Sequence, residues 1–583
     1  MRAHYLKDIF DLIGNHKKRL IRLFLFFVLS AFFDLAGLSL IAPYLTIITT
    51  PDSESGISLI SFAQQFLPNG YPLILAFSWV LVIVSAAKLA SSIYVNYRIQ
   101  EICGNIDTNL RREFLSKFQT MPYSEWLQRN SSEYITVVNA HVPIFVAQVL
   151  SPSLRALSDT VISLVVLAFL AYTDWRGFLV LSFMFGIVGF AYSYYFRARL
   201  SIIGAEQRVL SIELTTNVRN AMEGLKELRV LGCESYFTEG LQRNANKWAQ
   251  GQAKSQAISR MPRYLAEFVL ILFVVASVGL SRWLNAATEN LTVVFGVFAL
   301  GAMRLIPALS GLMALGGQLR MQRSMVQRLA KDWREFSSRP IDKVFRSAGG
   351  GEAFVKLQAT SIYYKYPKAK RFTIQGASVE LSAGESIAFV GASGSGKTTM
   401  VDVLLGLLEP SSGDLRVNDK LLLNNPRWFL DLVAYLPQQV FLIDDTLCRN
   451  VALGLEDVDI DVDELNNALR QAQLVDLVAR LPQGIYTVIG DKGLRLSGGE
   501  RQRVALARAF YFKRSIIVMD EATSALDSET EHEIVDEINL LKGKTTLIVI
   551  AHRLETVQAC DKVYELINGK ALLTDLKSSK IKQ

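Results

Sequence analysis

The sequence has 583 residues, of which half are apolar and 20% are charged, and its formal net charge is +8. Such a length allows about two to four domains, and this much charge excludes a wholly membrane-embedded protein, so we predict a mixture of membrane and soluble parts. Excess Lys and Arg in short cytosolic loops accounts for the positive charge. No basic face interleaved with aromatic residues occurs in the sequence, so we expect no nucleic-acid partner.

Six apolar stretches are long enough to cross a bilayer, which takes about 20 residues. Lys and Arg concentrate in the N-terminal tail and in the two long polar segments 97-142 and 197-263. By the positive-inside rule these parts are cytosolic, and the six spans return the chain to the cytosol. We therefore predict a transmembrane domain over residues 1-336 in the cytoplasmic (inner) membrane. The stretches run from Leu23 to Ile48, Pro72 to Tyr94, Leu154 to Tyr172, Gly177 to Phe196, Tyr264 to Leu280 and Leu291 to Leu315.

The two polar segments are predicted to be helical extensions, each interrupted by a turn. The first turn carries Tyr123 and Trp126, and the second carries Glu234 and Tyr236. These turns either contact a cytosolic domain or simply connect helices, and local sequence favours neither. A linker rich in Ser, Gly and charge is predicted over 337-353. Beyond it, apolar strand-like runs alternate with helical stretches, so residues 354-583 are predicted to form an α/β domain with a parallel sheet.

A phosphate-binding loop is predicted directly after the apolar strand Ser386 to Val390. Its glycines let backbone N–H groups turn toward phosphates, Lys397 neutralises their charge, and the Thr398 hydroxyl is suited to Mg²⁺. We predict that the loop and the following Thr399 bind ATP. The loop consists of Gly391, Ala392, Ser393, Gly394, Ser395, Gly396, Lys397 and Thr398.

A second apolar strand, Ile516 to Met519, ends in the two acids Asp520 and Glu521. A buried strand of this kind delivers Asp520 to the Mg²⁺ shell and places Glu521 to polarise the attacking water. An ordinary strand followed by an acidic turn is the alternative, and the order of the motifs along the chain favours the catalytic interpretation.

Between these two elements, the run from Leu496 to Glu500 resembles the signature motif of ABC ATPases. The resemblance implies that Ser497, Gly498 and Gly499 of one copy close over the ATP held by another copy, so we expect a homodimer. Other residues match the family position by position. By that resemblance Tyr366 stacks on adenine, Gln438 touches Mg²⁺, Asp527 crosses the dimer interface, and His552 contacts the γ-phosphate.

The whole chain resembles the type IV exporter fold, six spans followed by an ABC ATPase domain. The resemblance implies that ATP draws two nucleotide domains together and that hydrolysis releases them. It also implies that the turns at Tyr123 and Trp126 and at Glu234 and Tyr236 are coupling helices, which transmit closure to the membrane helices.

Charged residues within spans are costly and tend to face a cavity. Lys88, Arg263 and Arg304 lie in predicted spans, and their shared sign favours an anionic cargo such as a phosphorylated lipid. The alternative is internal pairing, of Lys88 with Asp34 and of Arg263 with Glu267.

An amphipathic segment between Ile57 and Leu67, on the outer side, is suited either to hold a lipid tail or to cap the bundle. Together with the basic residues it resembles the bacterial lipid-linked oligosaccharide flippase of protein N-glycosylation. That resemblance implies transport of a polyprenyl-pyrophosphate glycan to the outer leaflet. Lys88 stands where that family has an arginine, and so lacks its fork geometry. An exporter of drugs, peptides or other lipids, and a regulatory ATP sensor, are the alternatives.

Overall fold

The computed structural model describes the backbone of most of the chain. The described residues are 2–14, 17–49, 73–129, 131–283, 291–337, 353–367, 369–422, 427–490, 496–520, 541–551 and 557–574. Their contacts divide the chain into two compact units. Unit 1 comprises Met1–Gln119 and Ser132–Ile341, and unit 2 comprises Thr120–Ser131 and Asp342–Gln583.

Unit 1 is helical in most of its described residues, with short breaks such as Asp174 and Gly232, and its residues Val137–His141 and Val146–Leu150 are π-helical. Its long helices combine an apolar segment with a polar extension, as the composition of the sequence predicts. The helices are α1 (Arg2–Ile13), α2 (Lys17–Thr49), α3 (Leu73–Thr120), α5 (Ser131–Thr136), α6 (Val142–Phe145), α7 (Ser151–Thr173), α8 (Trp175–Glu223), α9 (Leu225–Leu231), α10 (Glu234–Trp283), α11 (Leu291–Met321) and α12 (Arg323–Ser337). The short helix α4 (Tyr123–Trp126) belongs to unit 2.

Among the described residues, five helical segments are long and apolar enough to cross a membrane. Each overlaps one of five predicted stretches, which are thereby confirmed as helices long and apolar enough to cross a membrane. The remaining stretch, Tyr264 to Leu280, lies in α10 and extends past the side chains that the structure describes there, so it stays a prediction. The five segments are Arg19–Leu40, Phe77–Thr120, Glu133–Thr173, Trp175–Phe196 and Phe298–Met321.

The helices α8 and α10 run antiparallel along each other. Tyr192 donates to the Ile258 carbonyl at 3.1 Å, and Gln207 donates to Gln252 at 3.0 Å. The short helix α9 connects them and ends at Gly232, whose φ of 64° lies in the left-handed region that ends many helices. The chain therefore reverses at α9 and Gly232, where the second turn was predicted.

Unit 2 contains two sheets. An antiparallel sheet has the order β2-β1-β4-β5, and a larger sheet has the order β10-β9-β3-β8-β7-β6. In the larger sheet β9, β3, β8, β7 and β6 pair in parallel, and only β10 is antiparallel. The strands are β1 (Lys356–Tyr364), β2 (Ile374–Ser382), β3 (Ser386–Val390), β4 (Ser412–Val417), β5 (Lys420–Leu421), β6 (Val433–Leu436), β7 (Ile516–Asp520), β8 (Thr546–Ile550), β9 (Lys562–Ile567) and β10 (Lys570–Thr574).

Helices cover both faces of the larger sheet, because its central strands are apolar on both sides. Alternate residues such as Ile387 and Phe389 enter one core, and Ala388 and Val390 enter the other. The predicted α/β domain with a parallel sheet is confirmed, whereas the antiparallel sheet was not predicted. The helices of unit 2 after α4 are α13 (Lys397–Leu404), α14 (Arg427–Leu430), α15 (Leu447–Val451), α16 (Val462–Gln471), α17 (Val475–Arg480) and α18 (Gly498–Tyr511).

The segment Thr120–Ser131 lies between helices of unit 1 in the sequence but belongs to unit 2 by its contacts. Pro122 precedes α4, and the Tyr123 and Trp126 rings stack with their centroids 5.6 Å apart. Tyr123 is half-buried against the core that contains the buried face of α13. The first predicted turn is therefore part of the same compact body as the α/β domain.

Candidate ATP site and membrane charge cluster

Four adjacent parallel strands bring the predicted ATP-binding motifs to one edge of the large sheet. These strands are neighbours in the order β3-β8-β7-β6. Each of them ends directly before a predicted motif or within it. Gly391 follows β3, Asp520 ends β7, and Pro437 and Gln438 follow β6. The carboxyl ends of parallel strands are the usual location of ligand sites in α/β sheets.

The phosphate-binding loop is shaped by glycines with left-handed backbone angles. Gly391 has φ 141°, and a Cβ at this position would lie 2.6 Å from the Leu566 carbonyl oxygen of β9. Gly396, with φ 103°, is the N-cap residue that immediately precedes α13. Neither conformation suits an L-residue with a side chain, so the tight turn between β3 and α13 depends on glycine.

The loop presents polar groups suited to phosphate. The Lys397 ammonium donates to the carbonyls of Gly391 and Ala392 at 2.9 and 3.1 Å, which holds the charge inside the curve of the loop. The buried Ser395 hydroxyl has no hydrogen-bond partner within the part of the chain that the structure describes. Together with the N-terminus of α13, these groups form an anion site of the kind found in nucleotide-binding proteins.

Tyr366, predicted to stack on adenine, lies beside this loop. Its hydroxyl makes a 2.9 Å hydrogen bond with the Thr399 hydroxyl, and its ring meets that of Tyr364 edge-on. Thr399 is buried and orients Tyr366 through this bond, and its predicted contact with ATP stays a prediction. The hydrogen bond holds the Tyr366 ring next to α13.

Asp520 lies at the end of β7, as predicted, and contacts a residue that the sequence analysis missed. The Tyr435 hydroxyl donates to Asp520 Oδ2 at 2.7 Å. Partial burial and this hydrogen bond raise the pKa of Tyr435, so the phenol stays protonated. Tyr435 pairs with Val518 in the parallel register, which places it on the same face as Asp520. The alternation of side chains along β6 shows which residues share a face of the strand, but only the pairing of β6 with β7 shows that Tyr435 lies next to Asp520.

Asp402 of α13 is a second acid that the sequence analysis missed. Burial and the neighbouring Asp520 carboxylate raise the pKa of Asp402 to about 7. Because the pKa of Asp402 is higher in the folded state than in the unfolded state, protonation of Asp402 stabilises the fold. This stabilisation is fully present below the unfolded-state pKa and is lost as the pH rises toward 7. The site therefore contains two acids that resist simultaneous ionisation, which favours a bound cation.

We expect Asp402→Asn to stabilise the protein more at pH 8 than at pH 5.5, because asparagine does not ionise. The difference between the two conditions should be on the order of 2 kcal/mol. Thermal unfolding of the purified protein in EDTA, with wild type alongside, measures it. A stability gain that is the same at both pH values would contradict this prediction.

The signature segment begins α18 with a reciprocal pair of hydrogen bonds. The Ser497 hydroxyl accepts from the Glu500 N–H at 3.2 Å, and a Glu500 carboxylate oxygen accepts from the Ser497 N–H at 2.7 Å. Arg480 donates to the other Glu500 oxygen at 2.7 Å. Burial opposes ionisation of Glu500, but these bonds lower its pKa overall. Ser497 is exposed at the N-terminus of α18, where an anion is favoured, and Gly498 and Gly499 form its first turn.

Several predicted residues lie outside the described part of the chain. Glu521, Asp527 and His552 are among them, as are the amphipathic segment between Ile57 and Leu67 and most of the linker. Gln438 and Thr398 are described, and both side chains are exposed.

The predicted cavity residues of the membrane domain lie in ion pairs. Asp34, only 1% exposed, contacts Lys88 at 2.7 Å and Arg304 at 2.8 Å. Arg263 pairs with Glu267 at 3.0 Å on the exposed side of α10. The pairs of Lys88 and Arg263 are those given as the alternative to cargo binding, and the pairing of Arg304 was not predicted. Asp34, Lys88 and Arg304 form a charge cluster that joins α2, α3 and α11 and carries one net positive charge.

A cavity of about 740 Å³ lies between α3, α7 and α11 of unit 1. Its lining includes Gln100, Arg155 and Asp159, and Asp159 lies in the electrostatic field of Arg304. The lining thus mixes apolar side chains with polar groups of both signs of charge.

Apolar side chains at the second predicted turn are exposed to solvent in the single chain. Val230 is 82% exposed, Leu231 is 74% exposed and Tyr236 is 70% exposed, and Glu234 is exposed as well. Tyr123 in the first turn is half-buried within unit 2, by contrast.

The helical membrane unit and the P-loop site together define a membrane transporter driven by an ATPase. Residues 20–303 match the family model described as ABC transporter transmembrane region, and residues 374–524 match the model described as ABC transporter. The chain is similar to the ATP-dependent lipid A-core flippase of Ralstonia nicotianae, 31% identical over 501 residues that cover 84% of this chain and 82% of that protein. It is also similar to the flippase of the same description from Burkholderia orbicola, 32% identical over 493 residues that cover 82% of this chain and 79% of that protein.

The chain belongs to the ABC transporter family and is an ATP-hydrolysing transporter. A solved structure described as a bacterial Atm1-family ABC exporter with ATP bound has the same fold, with a TM-score of 0.74 and 20% identity, over 97% of this chain and 96% of that one. The predicted fold class, a helical transmembrane domain followed by an ABC nucleotide-binding domain, is confirmed.

Proposed function

We propose that the protein is a homodimeric flippase of the inner membrane. It uses ATP to move a polyprenyl-pyrophosphate-linked oligosaccharide, or a related anionic glycolipid, from the inner to the outer leaflet. The observation that carries the cargo proposal is the charge cluster of Asp34, Lys88 and Arg304 within the membrane helices. The similarity to proteins named lipid A-core flippases supports a cargo that combines lipid and glycan.

At the ATP site, each residue takes the role that its position favours. The loop from Gly391 to Thr398 binds the phosphates, with Lys397 as the cation, and Tyr366 packs against adenine. Glu521 polarises the attacking water, and His552 contacts the γ-phosphate. Asp527 contacts the second copy across the interface between the two nucleotide domains.

Thr398, Gln438 and Asp520 are the residues that would hold Mg²⁺. They offer a hydroxyl, an amide oxygen and a carboxylate, which are the hard oxygen donors that Mg²⁺ prefers. Asp402 and Asp520 resist simultaneous ionisation in the empty site, so a divalent cation beside them would be favoured. When bound, Mg²⁺ neutralises the charge that develops on the phosphates.

A second copy of the chain is required to complete the ATP site and to cover the second turn. The Ser497 end of α18 is exposed in the single chain and is suited to close over the triphosphate of another copy. The exposed Val230, Leu231 and Tyr236 form an apolar tip suited to a partner's nucleotide domain. Closure of two domains around two ATP molecules would then move α8 and α10 of each copy.

For the cargo, the basic side chains attract an anionic head group. Lys88 and Arg304 share a single carboxylate, so a pyrophosphate, with more than one negative charge, would compete well for them. The polar residues Gln100, Arg155 and Asp159 in the lining of the neighbouring cavity are suited to hydroxyl-rich sugars.

Flipping of a fluorescent lipid-linked glycan in proteoliposomes tests the cargo proposal. We expect Lys88→Ala and Arg304→Ala each to slow ATP-dependent flipping by about tenfold, since a charged hydrogen bond contributes about 1.5 to 3 kcal/mol. ATP hydrolysis without cargo should change little, because the ATP site is intact.

Arg328→Ala is the matched control. Arg328 pairs with Glu133 in unit 1 at 2.7 Å, outside the charge cluster, so its loss should leave flipping unchanged. Glu521→Gln should abolish both hydrolysis and flipping. Full flipping by the Lys88 and Arg304 variants would refute the anionic head-group site, and preferential transport of a neutral lipid or a drug would favour the broader exporter class.

A further inference from the structure

We propose that Tyr435 is a positioning residue for ATP hydrolysis, whose hydroxyl orients the Asp520 carboxylate toward the metal of Mg–ATP. This inference rests on the proposed role of Asp520 as a metal ligand. It adds to the predicted site residues a side chain of β6, the strand that leads into Gln438.

Tyr435 contacts Asp520 directly, through a short hydrogen bond. The Tyr435 hydroxyl donates to Asp520 Oδ2 at 2.7 Å, a short bond to a charged acceptor. One carboxylate oxygen is thus held by a neutral donor, which restricts rotation of the carboxylate about its Cβ–Cγ bond. Such preorganisation lowers the cost of ordering a metal ligand when the metal arrives.

The strand register makes the contact a built-in feature of the sheet. β6 and β7 pair in parallel with Tyr435 opposite Val518, so Tyr435 and Asp520 are diagonal neighbours on one face. That face carries the core packed by α13, against which Tyr123 also lies. Ala434 and Leu436 face the opposite core and hold β6 in this register.

The position of Tyr435 also ties two metal ligands together. It lies three residues before Gln438, so the backbone that leads into the Gln438 loop is linked to the end of β7 through one hydrogen bond. The phenol therefore sets the Asp520 carboxylate relative to the strand from which the second ligand extends. A phenylalanine at this position keeps the ring but loses the link.

The test compares nucleotide affinity with and without Mg²⁺. Full-length wild type and Tyr435→Phe are placed in nanodiscs, and a fluorescent non-hydrolysable ATP analogue is titrated in Mg²⁺ and in EDTA. We expect Tyr435→Phe to lose about tenfold of the affinity gained from Mg²⁺, while its affinity in EDTA stays that of wild type. Tyr486→Phe, an exposed tyrosine of unit 2, is the matched control and should behave as wild type.

Three results would overturn the inference. An equal loss of affinity in Mg²⁺ and in EDTA would show that Tyr435 only supports the fold. An unchanged or larger gain from Mg²⁺ in Tyr435→Phe would show that the hydroxyl does not orient a metal ligand. If Mg²⁺ brought no gain in wild type itself, the metal role of Asp520 would fall, and the role of Tyr435 with it.

Discussion

We expect Gly391→Ala to abolish ATP hydrolysis and to weaken ATP binding by about 100-fold or more, which corresponds to about 2.7 kcal/mol. Gly391 has φ 141°, and an added Cβ would lie 2.6 Å from the Leu566 carbonyl and 3.0 Å from the Ser395 hydroxyl. The carbonyl belongs to β9, which pairs with β3 along the sheet, so it cannot move cheaply. The loop must therefore shift away from its phosphate-binding shape.

Binding of a fluorescent ATP analogue and phosphate release measure the two effects. Gly454→Ala is the matched control, because Gly454 also has a left-handed φ, of 88°, but open space around its Cβ position. That variant should keep near-normal ATP affinity. Wild-type binding by Gly391→Ala would show that the loop tolerates a side chain at its entrance and would contradict the prediction.

We expect Asp34→Asn to destabilise the membrane domain by about 3 kcal/mol, since removing one partner of a buried ion pair leaves charges uncompensated. Asp34 is buried and holds Lys88 and Arg304 from two other helices. Without its charge, the two cations repel each other at close range. The thermal midpoint of the purified protein should fall by several degrees in neutral detergent.

The charge balance of the cluster supplies the control. The double variant Asp34→Asn with Lys88→Met restores one net positive charge, so it should recover most of the lost stability. An anionic phospholipid should raise the midpoint of Asp34→Asn more than that of wild type, because it supplies the missing counter-charge. Equal midpoints for wild type and Asp34→Asn would show that the carboxylate does not hold these helices together.

The fold and most of the described part of the ATP site are predictable from local patterns. An apolar run followed by a glycine-rich loop identifies β3 and the turn to α13, and an apolar run ending in acid identifies β7 and Asp520. These signals work because a buried strand and a phosphate loop both constrain residues that are neighbours in sequence. Parallel order then brings the strand ends to one edge.

Contacts between distant parts of the chain were not predictable in the same way. The pairing of Tyr435 with Asp520 depends on the register of β6 against β7, which a single sequence does not reveal. Arg304 lies 270 residues from Asp34, and their pairing depends on how α11 packs against α2. Short-range candidates such as Arg263 with Glu267, one helical turn apart, were found because helix geometry alone brings them together.

The membership of Thr120–Ser131 in unit 2 means that the catalytic body is discontinuous in the sequence. A chimera that joins this ATPase to the membrane helices of a relative at the linker would leave Tyr123 behind and expose the surface that it covers. An exchange of modules between relatives must therefore transplant this twelve-residue insert together with residues 342–583. The ATPase unit thus includes a stretch of sequence that lies between two membrane helices.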